Sequence, residues 1–166
     1  MQGGIFYTIS NFTSSAPVDV KGMAEALGIE VHERTMPENR SGSIEKIAGR
    51  YIITVNKEHS SNRKRFTIAH EIGHFVFHDH LICTNNGIFD DKMYRDNRIS
   101  SSEETEANRF AVSILIPTPL LDHHTLQIGV ENSATLPARF QVSEKAMEIR
   151  LQAYISSGER EFAFPS

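Results

Sequence analysis

The sequence predicts an α+β domain with a short, mostly antiparallel sheet, a central helix bearing HExxH packed on a second, glutamate-bearing helix, and a C-terminal segment resembling a helix-turn-helix. Three observations predict it. His70-Glu71-Ile72-Gly73-His74 sits in an apolar, proline-free run from Arg65 to His78. Two β-rich runs, Ser43 to Ile47 and Tyr51 to Val55, are separated by Ala48-Gly49-Arg50, a hairpin signal. Ser100 with Glu103 three residues on forms a capping box at the head of a further helix.

At 166 residues and 39% hydrophobic, the chain suffices for one ordinary core and is short for two. The expected division is an irregular lead-in over 1–16, a metal-dependent domain over 17–130, a helical appendage over 131–155 packed on it, and a flexible tail over 156–166. A net charge of −4 gives no general pull toward nucleic acid or anionic membrane. One cysteine, Cys83, makes no internal disulfide and no zinc-finger framework. The first residues lack a basic n-region and long apolar core, and no later run approaches the roughly 18 apolar residues that span a bilayer. A cytoplasmic protein with no membrane partner is therefore expected. Oligomeric state is left open.

Taken in order, Val20, Met23, Ala24 and Leu27 fall at helical spacing, with Gly28 placed to end the helix. Ile29 to Glu33 alternates as a strand, with His32 toward solvent. Met36 to Gly42 reads as a loop bordering a cleft. The two β-rich runs that follow are candidates for an edge strand that an extended peptide pairs with and, equally, for a plain scaffold sheet. Ser60 or Ser61 caps the HExxH helix, which is apolar nearly all round and hence central. Residues 79–99 read mostly as loop, with Tyr94 to Arg98 its densest polar stretch. The capped helix from Ser100 must stop by Pro117. Thr118 and Pro119 open a short helix that carries His123 and His124 and closes near Gly129. A helix from Thr135 to Phe140, a turn at Gln141-Val142, and a helix capped by Ser143 make the helix-turn-helix-like pair. The second of these carries Glu144, Lys145, Glu148 and Arg150, too balanced a set to grip phosphates, so direct DNA contact is disfavoured.

The chemistry rests on the HExxH helix. Four residues advance an α-helix slightly more than one turn, so His70 and His74 face the same way and can share one ion at about 2.0–2.1 Å. Glu71, about 100° round the helix, stays off the metal and can act as general base toward its water. Glu104 is favoured as third ligand, because it shares a face with Ala107, Asn108 and Ala111, a small-residue stripe matching Ala69 and Gly73. Glu106 remains the alternative, and Glu103 belongs to the cap. Asn108, one turn beyond Glu104, is placed to hydrogen-bond a ligand. His78 and His80 are read as hydrogen-bonding residues rather than ligands. A donor to the developing oxyanion is sought among Tyr94, Arg95, His123 and His124. A His₂Glu set favours zinc among common ions.

Arg65-Phe66-Thr67-Ile68-Ala69-His70-Glu71-Ile72-Gly73-His74, followed by Glu104-Thr105-Glu106-Ala107-Asn108-Arg109-Phe110-Ala111 and Ile114-Leu115-Ile116-Pro117, resembles the ImmA/IrrE family of zinc metallopeptidases. The likeness extends to Pro17-Val18-Asp19-Val20 upstream and to Phe140-Gln141-Val142-Ser143 downstream. Ile116 departs mildly, standing where a methionine is common. The resemblance implies a gluzincin-like, small zincin-type fold, one Zn²⁺ held by His70, His74 and Glu104, and Glu71 as base. It also implies limited proteolysis of a DNA-binding repressor, often of the Xre type, encoded nearby in phage, mobile-element or stress-response regulation. The rival expectation is a catalytically silent binding module of the same fold, of antitoxin or anti-repressor type.

Overall fold

The computed structural model describes residues 2–84, 88–91, 101–128 and 134–157. The chain opens with α1 (Gln2–Phe12) and α2 (Val20–Ala26), then β1 (Ile29–Arg34), β2 (Arg40–Ile47), β3 (Arg50–Asn56) and α3 (Ser61–Phe77). It continues with α4 (Asp79–Thr84), β4 (Ile88–Asp91), α5 (Ser101–Leu115), α6 (Thr118–Ile128), α7 (Leu136–Phe140) and α8 (Glu144–Ser157).

α1 corrects the expected irregular lead-in. Ile9 is fully buried, and Ile5, Phe6 and Phe12 pack against the core, so burial of one face holds a helix with no acidic residue in its first turn. The Asp19 side chain caps α2 by accepting from the Gly22 N–H at 2.9 Å.

The sheet runs β1-β3-β2-β4, with β1 parallel to β3 and the other two pairs antiparallel. The β2–β3 hairpin closes on the Ile47–Arg50 pair, and its two turn residues, Ala48 (φ 49°) and Gly49 (φ 81°), both adopt positive φ. That is the turn hand that matches the right-handed twist of paired strands. Of the two readings of the β-rich runs, the strand order supports the scaffold sheet. β2 and β3 are interior, while β4 and β1 bound the sheet among the described residues. β4 and α4 lie in the stretch expected to be loop. Ile88 and Ile82 are buried there, and the otherwise unpaired edge of β2 recruits β4 through Ser43–Phe89 and Ile44–Ile88.

The loop before β2 is fastened rather than loose. Asn56 is fully buried, and its Nδ2 donates to the carbonyls of Met36, Pro37 and Arg40 at 3.1–3.2 Å. α3, capped by Ser60 Oγ accepting from Arg63 N–H at 3.4 Å, lies between the sheet and α5. Thr67 through His74 are all buried, so this helix forms the centre of the core with Ile44, Ile53, Phe110 and Ile114 around it.

Among the C-terminal helices, the Arg150 guanidinium donates to the Ile116 carbonyl at 3.1 Å and to Thr118 Oγ1 at 2.6 Å, fixing α8 to the α5–α6 junction. Asn62 Nδ2 donates to the Val142 carbonyl at 3.2 Å, tying the start of α3 to the α7–α8 turn, where Gln141 has φ 52°. α8 is helical through Ser157, two residues into the expected tail. Tyr94, Arg95, the Ser100 cap and Gly129 lie outside the described residues.

Candidate metal centre

The site begins with a close approach of two helices. A Cβ built on Gly73 would stand 3.1 Å from Ala107 Cα and 3.3 Å from the Ala107 carbonyl oxygen, so only glycine lets α5 come this near α3 without displacement. That approach carries Glu104 to the histidines. Its Oε2 lies 3.4 Å from His70 Nε2 and its Oε1 3.3 Å from His74 Nε2, while the two Nε2 atoms are 3.0 Å apart. One donor atom from each residue falls within 4.8 Å of the other two. His70 and His74 are buried, and Glu104 keeps 39% of its side chain exposed, which leaves the cluster open on one side.

Hydrogen bonds decide which nitrogens face inward. Asn108 Oδ1 lies 3.1 Å from His70 Nδ1, and an amide oxygen can only accept, so the His70 proton sits on Nδ1 and its Nε2 carries the lone pair. The same logic runs through a longer chain on the other side. Glu106 Oε2 lies 3.1 Å from His78 Nε2, so a neutral His78 donates there and accepts at Nδ1. His74 Nδ1, 3.1 Å from His78 Nδ1, must then donate, again leaving Nε2 as a lone pair. Two imidazole lone pairs and a carboxylate thus converge on one point, an arrangement that a cation relieves. The donor set fits a zinc-type ion.

The electrostatics agree. Where protons rather than an ion occupy the cluster, burial pushes the Glu104 carboxyl up, but hydrogen bonds and charge from His70 and His74 outweigh it and hold the group well below the usual carboxylate range. Burial pushes His74 down from 6.5, with the neighbouring His70 and His78 adding to that, while Glu104 opposes. A neutral imidazole beside an ionised carboxylate is the state a ligand set needs.

Glu71 is fully buried, directly after His70 on α3. The His78–Glu106 pair is the part that reasoning from sequence did not assemble. Its available signal was His78 standing four residues after His74, one more turn along the same face. His124 is engaged by a different partner. The His124 Nε2 accepts from Arg139 Nε at 2.9 Å and its ring packs edge-on to Phe140, while His123 meets His124 in a T-shaped contact. His124 Nε2 is thus engaged by a cation, which leaves Nδ1 as the nitrogen of that ring that carries a proton.

Among the described residues, no helix is long and apolar enough to cross a membrane. No curated protein matches the chain. A solved Mycobacterium tuberculosis transcriptional regulator is similar in fold at a TM-score of 0.58 and 18% identity, over 92% of this chain and 47% of that one. This chain therefore spans about half the length of that structure. The model of the peptidase M78 family, described as the IrrE N-terminal-like domain, matches residues 24–152. With that match covering most of the chain and its two central motifs meeting at one site, the chain belongs to the peptidase M78 (IrrE N-terminal-like) family.

Proposed function

We propose that this protein is a zinc-dependent endopeptidase that makes limited cuts in a protein substrate, a DNA-binding repressor of the Xre type. The observation that supports the reading best is the convergence of His70, His74 and Glu104 with Glu71 beside them on α3. A purely structural site has no need of a base next to its ligands.

His70, His74 and Glu104 would hold the ion, with Asn108 and the His78–Glu106 pair keeping the imidazoles in the ligating tautomer. When bound, Zn²⁺ supplies a Lewis acid that acidifies water and polarises the scissile carbonyl. Glu71 takes the proton from water as its oxygen bonds to the carbonyl carbon. The C–N bond then breaks, and Glu71 returns that proton to the leaving nitrogen. Burial of Glu71 keeps bulk water from competing for it.

Direct contact of α8 with DNA is disfavoured. Of the two cations of α8, Arg150 is fixed to Ile116 and Thr118, and Lys145 shares its charge with Glu148 at 3.0 Å.

The test pairs wild type with Glu71→Gln, each loaded with zinc and incubated with candidate Xre-type repressors. Wild type is expected to produce a discrete fragment pair, and the variant to retain zinc yet leave the repressor whole. If both leave every repressor intact while binding it, the protein is a regulatory binding module and the peptidase reading fails.

A further inference from the structure

α3, α5 and α8 enclose a groove of about 830 Å³ beside the candidate metal cluster. It adjoins that cluster directly, because Asn108, whose Oδ1 faces His70, is also one of its walls. Phe66, one turn before His70, lines it with Val112, Val142, Ala146 and Ile149. Ile149 is an isoleucine left 49% exposed. The charges are one-sided. Arg63, Arg109, Lys145 and Arg150 line the groove, and among the described residues no carboxylate does, although the whole chain carries a net charge of −4.

We infer that this groove docks an acidic segment of the protein substrate, one that sets an apolar side chain over Phe66 and Ile149 while its carboxylates meet the cationic rim. The identity of the occupant as substrate rests on the peptidase reading; the preference for acidic, apolar peptide rests on the groove alone. Lys145 to Ala153 covers nine residues of α8, about 12 Å end to end, which suits two turns of helix or some four residues of extended chain. The walls are built before any partner arrives. Arg63 Nη2 donates to Ser41 Oγ at 2.9 Å, and Arg150 is held by Ile116 and Thr118, so little ordering accompanies docking on that side. Arg109 and Lys145 stand on the exposed rim, where a partner's carboxylates change encounter rate and specificity. The apolar floor argues against duplex DNA as the occupant. A segment seated here leads toward His70 through Asn108, which gives the site a means of selecting its substrate at a distance from the cut.

The experiment uses Glu71→Gln protein, so that binding is read without cleavage. Two fluorescent nonapeptides of equal apolar content, one with four glutamates and one with four glutamines, are titrated by anisotropy at low and at physiological salt. The acidic peptide should bind at least tenfold tighter than the glutamine peptide. That preference should disappear in Arg109→Glu/Lys145→Glu, whose zinc affinity and unfolding midpoint stay those of the parent. Equal binding of the two peptides overturns the proposal, as does undiminished acidic-peptide binding by the double variant. So does salt-sensitive capture of a 20-base-pair duplex, or self-association, that the double variant abolishes. Failure of the protein to cut any repressor leaves these readings untouched, so the two proposals can fail separately.

Discussion

Two histidine pairs among the described residues, His70 with His74 and His123 with His124, meet different partners, and only the first belongs to a candidate metal site. On α3, the His70 and His74 rings stand 4.6 Å apart; on α6, His123 and His124 stand 5.4 Å apart. Proximity is similar. What differs is the partner opposite and the direction of the lone pairs. Residues four apart on a helix point the same way, and Glu104 arrives from α5 to meet both Nε2 atoms. Adjacent residues diverge, and the group that meets His124 Nε2 is the Arg139 guanidinium. A cation beside an imidazole uses up its lone pair and repels any ion that would share it. A carboxylate does the reverse on both counts, so the sign of the third residue, more than the number of histidines, separates a ligand set from a packed pair.

The largest effect is expected where that sign is changed. Glu104→Gln keeps size and one carbonyl oxygen but removes the charge, and zinc affinity should fall by more than the roughly 10–100-fold that loss of an outer-shell partner costs. Competition against a fluorescent chelator measures it. With 39% of the Glu104 side chain exposed, the fold should survive, and far-ultraviolet circular dichroism of the zinc-free protein checks this. Affinity within a few-fold of wild type would mean that the carboxylate is not a ligand.

A smaller effect is expected one shell out. His78→Leu removes the acceptor of the His74 Nδ1–H, and zinc should bind about 10–100-fold more weakly. His78→Asn, whose amide oxygen can stand where Nδ1 stood, should recover most of that. Nitrogen-15 imidazole spectra of the zinc-free parent should show the Nδ1–H tautomer at His74 and the Nε2–H tautomer at His78. Equal losses in Leu and Asn variants would assign His78 to packing alone.

These contrasts also show what could be read ahead of the structure. The HExxH face, the Glu104 face and the Ser60 cap were legible because each depends on spacing within one helix. The hairpin was legible for the same reason, its turn being two residues long. α1 was missed although Ile5, Ile9 and Phe12 fall at i, i+4 and i+7, since Gly3 and Gly4 weaken the local signal and the helix forms by burying that face on the core. β4 was missed because its reason for existing is the unpaired edge of β2, a non-local fact, and with it went the identity of the edge strands. Glu106 lost its part for a related reason. On its own helix it lies off the small-residue stripe, and only the docking angle of α5 brings it to His78 at the very end of α3. Side chains that act within one element declare themselves by periodicity, whereas those that act between elements wait for the packing.

The least perturbing change tests the second histidine pair and should act on stability without touching the metal. Burial, then the positive charges of Arg139 and of His123, push the His124 pKa below its ordinary value near 6.5. Between that value and the lower one it takes in the fold, the unfolded chain holds a proton that the folded chain refuses, so unfolding takes up protons and stability falls as pH falls. Above about pH 6.5 both states are neutral and the effect is absent. His124→Gln keeps an acceptor for the Arg139 Nε–H and has nothing to titrate. The unfolding midpoint of wild type relative to this variant should therefore be highest near pH 7.5 and decline on going to pH 5, with zinc affinity at neutral pH unchanged within about twofold. Whatever acid does at the metal cluster it does in both proteins, and distant sites add nearly independently, so the difference isolates residue 124. A difference that is flat across this range, or that grows in acid, would mean that Arg139 does not hold His124 neutral, and with that the contrast between the two pairs would lose its electrostatic basis.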